Sequence, residues 1–331
     1  MEKKHILVTG GAGRLGNVLV RQLLEQGHTV RVLVENTTEK PVSLQGLDVE
    51  LMEGDIRKIE TLQPAILDID VIFHLAAKIS LYPDKDGSVW AINVEGTKNI
   101  ASLALEHPIE RFIHCSSHHA VDKHPYTSPM DETRPLAFHD KTGYHRSKAH
   151  AEKVILDLIE QGLPAVIVNP GTVIGPHDYE PSILGQALID LSSGKLPVIM
   201  EGLSDYADAR DIASGMIAAM HKGRIGERYF LTGHLLNMKE LSAMIGKVTG
   251  AKTPKTILPL WLMYALLPLI QFTAWLKGEK PLFTKDMLYA AQSNPVVLHE
   301  KAKQELGFTP RPLDVAFRDT MDFLLLRKNE E

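Results

Sequence analysis

The chain has 331 residues, 44% apolar and 23% charged, with a formal net charge of −5. This is the balance of a globular protein long enough for one large α/β domain or two lobes. That charge, without a dense Lys/Arg block, excludes a general attraction to nucleic acid. A single cysteine, Cys115, excludes a disulfide framework and points to a reducing, cytoplasmic setting, and the opening MEKKHILVTG has too short an apolar stretch for a signal-peptide core.

In chain order, short β-branched runs alternate with helical stretches. The pattern predicts strands over 5–9, 29–34, 48–52, 71–74, 111–115 and 165–169, with helices over 15–26, 89–105 and 144–161. Gly27 and Gly162 stand where helix C-cap glycines would. Such alternation implies an α/β fold, a doubly wound parallel sheet with helices on both faces. Past Gly175 the sequence turns irregular and richer in proline and helix, which predicts a smaller, mostly helical C-terminal lobe over the sheet's carboxyl edge. RDIASGMIAAMHKG followed by ERYFLTG reads as one more helix and strand returning to the main sheet. The expected division is a nucleotide-binding unit of 1–175 joined by 206–232, and a substrate lobe of 176–205 and 233–331.

HILVTGGAGRLGNVLV places Gly10, Gly13 and Gly16 directly after a strand and at the start of a helix. Glycines there permit a tight turn and close backbone approach, and a helix N-terminus faces a pyrophosphate. Ala12, Arg14 and Leu15 complete that cofactor loop. At the end of the second strand, VRVLVEN offers Glu35, whose carboxylate can accept hydrogen bonds from an adenosine ribose and would repel a 2′-phosphate. Arg31 lies four residues too early to replace it. NAD is therefore expected rather than NADP. Farther on, TGYHRSKAH holds Tyr144 and Lys148 four apart, one helical turn on one face. A lysine cation there would favour the phenolate and lower a pKa that starts near 10.

EGDIRK, FHLAAK, NVEGTKN, RFIHCSS, YHRSK, NPGTVIGP and DARDIA follow in that order. In order and interval they resemble the extended short-chain dehydrogenase/reductase family, nearest its dihydroflavonol-reductase and 3β-hydroxysteroid-dehydrogenase branch. The resemblance covers nearly the whole chain, through EKAKQELGFTPRPLDVAFRDTMDFL. It implies a Rossmann fold, a homodimer, and roles for matching residues. Tyr144 would exchange a proton with the substrate oxygen. Lys148 would hold the nicotinamide ribose and depress the tyrosine pKa. Ser117 would hydrogen-bond the same oxygen, with Ser116 as the alternative because adjacent residues of an extended chain point to opposite sides. Asp55 and Ile56 would border the adenine. Leu75, Ala76, Ala77 and Lys78 would lie along the diphosphate and ribose, with Asn93 among the cofactor residues, and Pro170, Gly171, Thr172 and Val173 would border the nicotinamide.

Two departures stand out. The family commonly has arginine where Asn169 precedes PG. Members acting on nucleotide sugars usually carry an arginine before the pair equivalent to Asp205–Tyr206, to clasp a diphosphate, and here that position is Ser204. Both the missing clasp and the charge-free, proline-interrupted run over 256–276 point to a largely apolar small-molecule substrate. The run is expected to form a buried helix pair or a lid, with contact to a membrane surface as the alternative and a true span disfavoured by Pro259 and Pro268. His114, His118, His119 and His124 lack a completing Cys or acid, so no metal site is expected, and His118 or His119 is expected to touch substrate. The function these residues suggest is interconversion of a secondary alcohol and a ketone or aldehyde. A sugar epimerase or dehydratase is the alternative.

Overall fold

The computed structural model describes residues 2–80, 82–196, 198–278, 283–292 and 296–328. Seven strands form one parallel sheet: β1 (His5–Thr9), β2 (Thr29–Val34), β3 (Glu50–Glu53), β4 (Val71–His74), β5 (Arg111–Cys115), β6 (Ala165–Pro170) and β10 (Arg228–Leu231). Their spatial order is β3-β2-β1-β4-β5-β6-β10. The chain winds outward from β1 in one direction and then, from β4, in the other, which opens a crevice at the carboxyl ends of β1 and β4. Ile6, Leu7 and Val8, Ile72 and Phe73, and the whole of Ala165 to Val168 are buried. Such continuous apolar runs are what a parallel sheet covered on both faces requires.

The helices on one face are α1 (Arg14–Glu25) and α7 (Ala209–Lys222), packed through Leu19, Leu23, Ile212 and Met216. On the other face lie α2 (Ile59–Ile66), α4 (Gly96–Glu106) and α5 (Gly143–Ile159), packed through Leu62, Ile66, Ile100 and Ile155. The expected helix over 89–105 is present but bent: a short α3 (Ser88–Trp90) enters a π-helical turn over Ala91–Glu95 before α4. The expected strand over 48–52 starts later, because pairing with β2 begins where Arg31 faces Glu50. Their side chains meet there at 2.9 Å.

A second sheet of three strands, β7 (Thr172–Ile174), β9 (Leu203–Asp208) and β11 (His234–Asn237), leans over the carboxyl edge, and β8 (Ile199–Met200) pairs with β12 (Ile257–Leu258). Around it α6 (Ile183–Ser192), α8 (Met238–Thr249) and α12 (Leu313–Lys328) bury Leu188, Ile245, Phe317 and Met321 in a core of their own. The run over 256–276 is not a helix pair. It forms one helix, α9 (Leu260–Lys277), with Pro259 just ahead of it and Pro268 inside. Met263 and Leu267 are buried against Leu288 of α10 (Lys285–Ala290). Pro268 removes only one ladder hydrogen bond, on the exposed side, and the helix carries it. Finally α11 (Glu300–Leu306) seats Ala302 and Leu306 in the core that α1 and α7 share. Among the described residues no helix is long and apolar enough to cross a membrane.

Candidate active site

The glycine loop crosses the head of the crevice. Gly10 has φ +71°, and a Cβ on it would sit 2.7 Å from the Ala76 nitrogen; on Gly16 it would sit 2.1 Å from the Gly10 carbonyl oxygen. Only glycine fits this approach. Gly13 caps α1 without a side-chain hydrogen bond, and no acidic residue occupies the first turn. The first amides and the positive end of the helix therefore face the crevice, as a pyrophosphate requires. Ser43 Oγ donates to the Ala12 carbonyl at 2.7 Å, and Asn17 Nδ2 donates to the carbonyls of Gly13 and His177. Arg14 turns toward Asp178 at 3.5 Å, and Leu15 packs on the core.

A buried chain ties this loop to the residues after β4. The Ala76 amide donates to Thr9 Oγ1 at 3.2 Å, Thr9 Oγ1 meets His74 Nδ1 at 2.7 Å, and His74 Nε2 meets Thr97 Oγ1 at 2.9 Å. Burial first, and the Lys148 cation second, push the His74 pKa down to about 3. Leu75 and Ala76 are half-buried here, and Ala77 and Lys78 are exposed. Asn93, on the π turn, accepts from the Lys78 amide at 2.7 Å and donates to the Lys78 carbonyl and to Ser147 Oγ. Its side-chain amide thus holds Lys78 against α5.

Glu35 stands exposed at the end of β2. Arg31 is unavailable there, since its guanidinium donates to Glu50 and to the carbonyls of Ala65 and Leu67. Asp55 is gripped by Arg57, Nε to Oδ1 and Nη2 to Oδ2 both at 2.8 Å, and this pairing lowers its pKa. Ile56 is buried against Gly96.

At the other side of the crevice, Thr142 caps α5 and sets Tyr144 and Lys148 on one face. Ser117 leaves β5 in extended conformation, and its Oγ accepts from the His119 amide at 3.2 Å. Burial raises the Tyr144 pKa, while a side-chain hydrogen bond with Ser117 draws it back down. Lys148 Nζ donates to the Cys115 carbonyl at 2.7 Å, and burial lowers its pKa against the pull of Cys115 and Glu152. Burial therefore governs Tyr144 and holds it as the phenol, with the Ser117 hydrogen bond opposing that shift.

Ser116 is no alternative to Ser117. The pleat turns its Oγ into the interior, where it donates to Glu152 Oε2 at 2.5 Å. Asn169 Nδ2 donates to the same Oε2 at 2.9 Å and to the Ser117 carbonyl at 3.0 Å, and Arg228 Nε lies 2.7 Å from Glu152 Oε1. Sequence reading passed over Glu152 and Arg228. Glu152 was legible as the residue one turn beyond Lys148 on its helical face; Arg228, 76 residues away, was not.

Pro170 ends β6, and its carbonyl receives His118 Nδ1 at 3.0 Å. Gly171 leaves room for the buried Asp205, whose Oδ1 would lie 2.7 Å from an added Cβ. Burial raises the Asp205 pKa to about 6, against a hydrogen bond from the Gly233 amide. Thr172 and Val173 pair in register with Tyr206 and Ala207, and Ser204 lies opposite Leu236. His119 stacks on His145 at 4.3 Å, and His145 Nδ1 is 3.0 Å from Asp140. No group of three or more His, Cys, Asp or Glu among the described residues is placed to hold a metal ion.

Residues 6–231 match the model of the NAD dependent epimerase/dehydratase family. Sterol demethylase protein B of Methylococcus capsulatus is 30% identical over 318 residues, covering 95% of this chain and 96% of that protein. A putative dihydroflavonol 4-reductase of Synechocystis is 31% identical over 326 residues, covering 95% and 92%. The crystal structure of gox2253 superposes with a TM-score of 0.86 at 34% identity, over 98% of this chain and 99% of the other. With a glycine cradle shaped for a pyrophosphate and a Ser, Tyr and Lys gathered beside it, the chain belongs to the NAD dependent epimerase/dehydratase family, the extended short-chain dehydrogenases/reductases, enzymes that act on CH–OH groups.

Proposed function

We propose that the protein interconverts a secondary alcohol and a ketone or aldehyde on a mainly apolar small molecule, in the cytoplasm. The observation that carries this reading is the placement of Ser117 at the carboxyl end of β5 and of Tyr144 and Lys148 on one face of α5, across the crevice from the glycine loop. Bound NAD supplies or accepts the hydride at its nicotinamide ring. Tyr144, kept as a neutral phenol by burial, gives its proton to the substrate oxygen when a carbonyl is reduced and takes it back when an alcohol is oxidised. The Ser117 hydroxyl donates to the same oxygen and stabilises the negative charge that builds there. Lys148 Nζ, anchored on the Cys115 carbonyl, offers its remaining N–H donors to the cofactor ribose. Gly10 to Gly16 hold the pyrophosphate, Leu75 to Lys78 line its path, Glu35 accepts from the adenosine ribose with Asp55 and Ile56 beside the adenine, and Pro170 to Val173 border the nicotinamide. Substrate lies between the unit of 1–175 with 206–232 and the lobe of 176–205 and 233–331.

Ser204, on a strand beside Asp205 and paired with Leu236, offers no cation to a diphosphate, which supports an apolar substrate over a nucleotide sugar. The names of the sterol and dihydroflavonol relatives agree. The test is to desalt the protein and titrate it with NADH and NADPH, then assay NADH-dependent reduction of hydrophobic ketones by wild type and Tyr144→Phe. Empty protein that prefers NADH and loses turnover in the variant is the expected result. NAD that stays bound stoichiometrically through desalting would replace this reading with a closed epimerase or dehydratase cycle.

A further inference from the structure

Helix α9 has two apolar faces, one packed into the lobe and the other exposed. Met263 and Leu267 point into the lobe, with Leu260 and Ile270 beside them. On the opposite side Trp261 is 70% exposed, Leu269 60%, Phe272 54% and Leu276 63%, and Tyr264, Ala265 and Pro268 are exposed between them. At 100° per residue these positions fall within an arc of about 140°, a continuous stripe about 22 Å long. Scattered exposed apolar residues need no explanation, but a stripe of this length on one helix marks an interaction surface.

Its charge frame says what covers it. Residues 256–276 carry no charge. Lys252 and Lys255 are exposed just before the helix, and Lys285 is exposed beyond it. The sequence adds Lys277 and Lys280 at the C-terminal end, so the flanks hold five lysines against the two acids Glu279 and Asp286. A second copy of the chain is a poor fit: two such helices laid side by side in either direction would set lysines against lysines across a low-dielectric contact. An anionic bilayer surface fits both parts. The aromatic and aliphatic stripe enters the boundary between headgroups and acyl chains, and the lysines at each end meet lipid phosphates. The helix is placed in the interface plane rather than across it, since among the described residues no helix is long and apolar enough to cross.

We propose that α9 is a peripheral docking surface for an anionic membrane, made by Trp261, Leu269 and Leu276 and flanked by basic ends. It is independent of which substrate the active site takes, so failure of one reading leaves the other standing.

The full-length protein is tested by flotation with vesicles of phosphatidylcholine alone and of equimolar phosphatidylcholine and phosphatidylglycerol. Wild type is expected to float with the anionic vesicles, and less so as salt is raised. The variant Trp261→Ser/Leu269→Ser/Leu276→Ser is expected to bind on the order of a hundredfold more weakly, with its thermal midpoint and NADH affinity kept. A second readout does not depend on that variant folding: brominated lipid should quench wild-type tryptophan fluorescence, and Trp261→Phe should still float with much of that quenching gone. Three results would overturn the proposal: no flotation of wild type, quenching unchanged by Trp261→Phe, or a dimer in the absence of lipid that the triple variant abolishes, which would give the face to a second copy.

Discussion

Arg228 Nε and Glu152 Oε1 meet at 2.7 Å and join the last strand of the main sheet to the helix that carries Tyr144 and Lys148. Glu152 is fully buried, and its other oxygen receives Ser116 and Asn169. Removing one member of such a pair leaves the other charge stranded, at a cost of about 3–5 kcal/mol, whereas removing both is far milder. Because the Arg228 side chain keeps 15% of its exposure, the lower end applies. Arg228→Leu and Glu152→Gln should each destabilise the protein by about 3 kcal/mol, and the double variant should recover most of the loss. Chemical denaturation in a double-mutant cycle measures the coupling.

Replacing Tyr144 by Phe removes the proton donor and leaves the ring. Turnover should fall by about 10²–10⁴-fold. NADH affinity, read by fluorescence titration, should stay within about twofold, because the glycine loop and Lys148 are untouched. Equal turnover would remove Tyr144 from the chemistry.

The two adjacent serines should separate cleanly. Ser117→Ala should lower kcat by about tenfold or more while leaving stability nearly unchanged, since the hydrogen bond its Oγ accepts is a single one from the His119 amide among the described residues. Ser116→Ala deprives Glu152 of a buried donor and should cost about 1–3 kcal/mol with a much smaller change in kcat. Thermal melts beside steady-state kinetics decide between them.

Asp205 supplies a pH signature. Its folded pKa of about 6 stands above the ordinary carboxyl value near 4, so the folded state binds the proton more tightly than the unfolded chain. The charged side chain therefore destabilises the fold above pH 6, and that penalty fades as pH falls through the window from about 6 to about 4. Asp205→Asn keeps an oxygen to accept from the Gly233 amide. It should stabilise the protein at pH 7.5 by about 2 kcal/mol and flatten this contribution between pH 4 and 6. Unfolding midpoints of both proteins across that range check the sign.

At the glycine loop, Gly16→Ala would place a methyl 2.1 Å from the Gly10 carbonyl oxygen, where backbone rather than a flexible side chain must move. NADH affinity should drop by at least about tenfold, alongside a loss of about 1–3 kcal/mol in stability. Isothermal titration reads the first and denaturation the second.

Much of the main sheet was legible because its strands are uninterrupted apolar runs that a two-sided burial demands; β1, β2, β4 and β5 begin and end where the sequence pattern places them. The glycine spacing and the i,i+4 relation of Tyr144 to Lys148 were legible for the same reason, being local. What escaped is non-local. The small sheet of β7, β9 and β11 is held by pairings such as Thr172 with Tyr206 and Leu236 with Ser204, which no periodicity announces. Pro268 suggested a break in α9, whereas the protein carries it on the exposed side of one continuous helix. The choice between Ser116 and Ser117 rested on which side of β5 holds Glu152, and the burial of Asn93 in backbone hydrogen bonds depends on a turn that sequence alone reads as ordinary helix.

The His74 chain beneath the glycine loop has a further property. Thr97 donates its hydroxyl proton to the Asn93 carbonyl at 2.6 Å, so toward His74 it can only accept, and the imidazole proton must sit on Nε2. Nδ1 is then an acceptor, Thr9 must donate to it, and Thr9 in turn accepts from the Ala76 amide. Five groups from three segments of chain thus share one tautomer and one sense of donation. A second proton on Nδ1 would meet the Thr9 hydroxyl proton, and the row cannot reverse to accommodate it because the Ala76 amide only donates. Burial holds the imidazole neutral down to about pH 3, so above that pH the floor of the cradle keeps a single orientation.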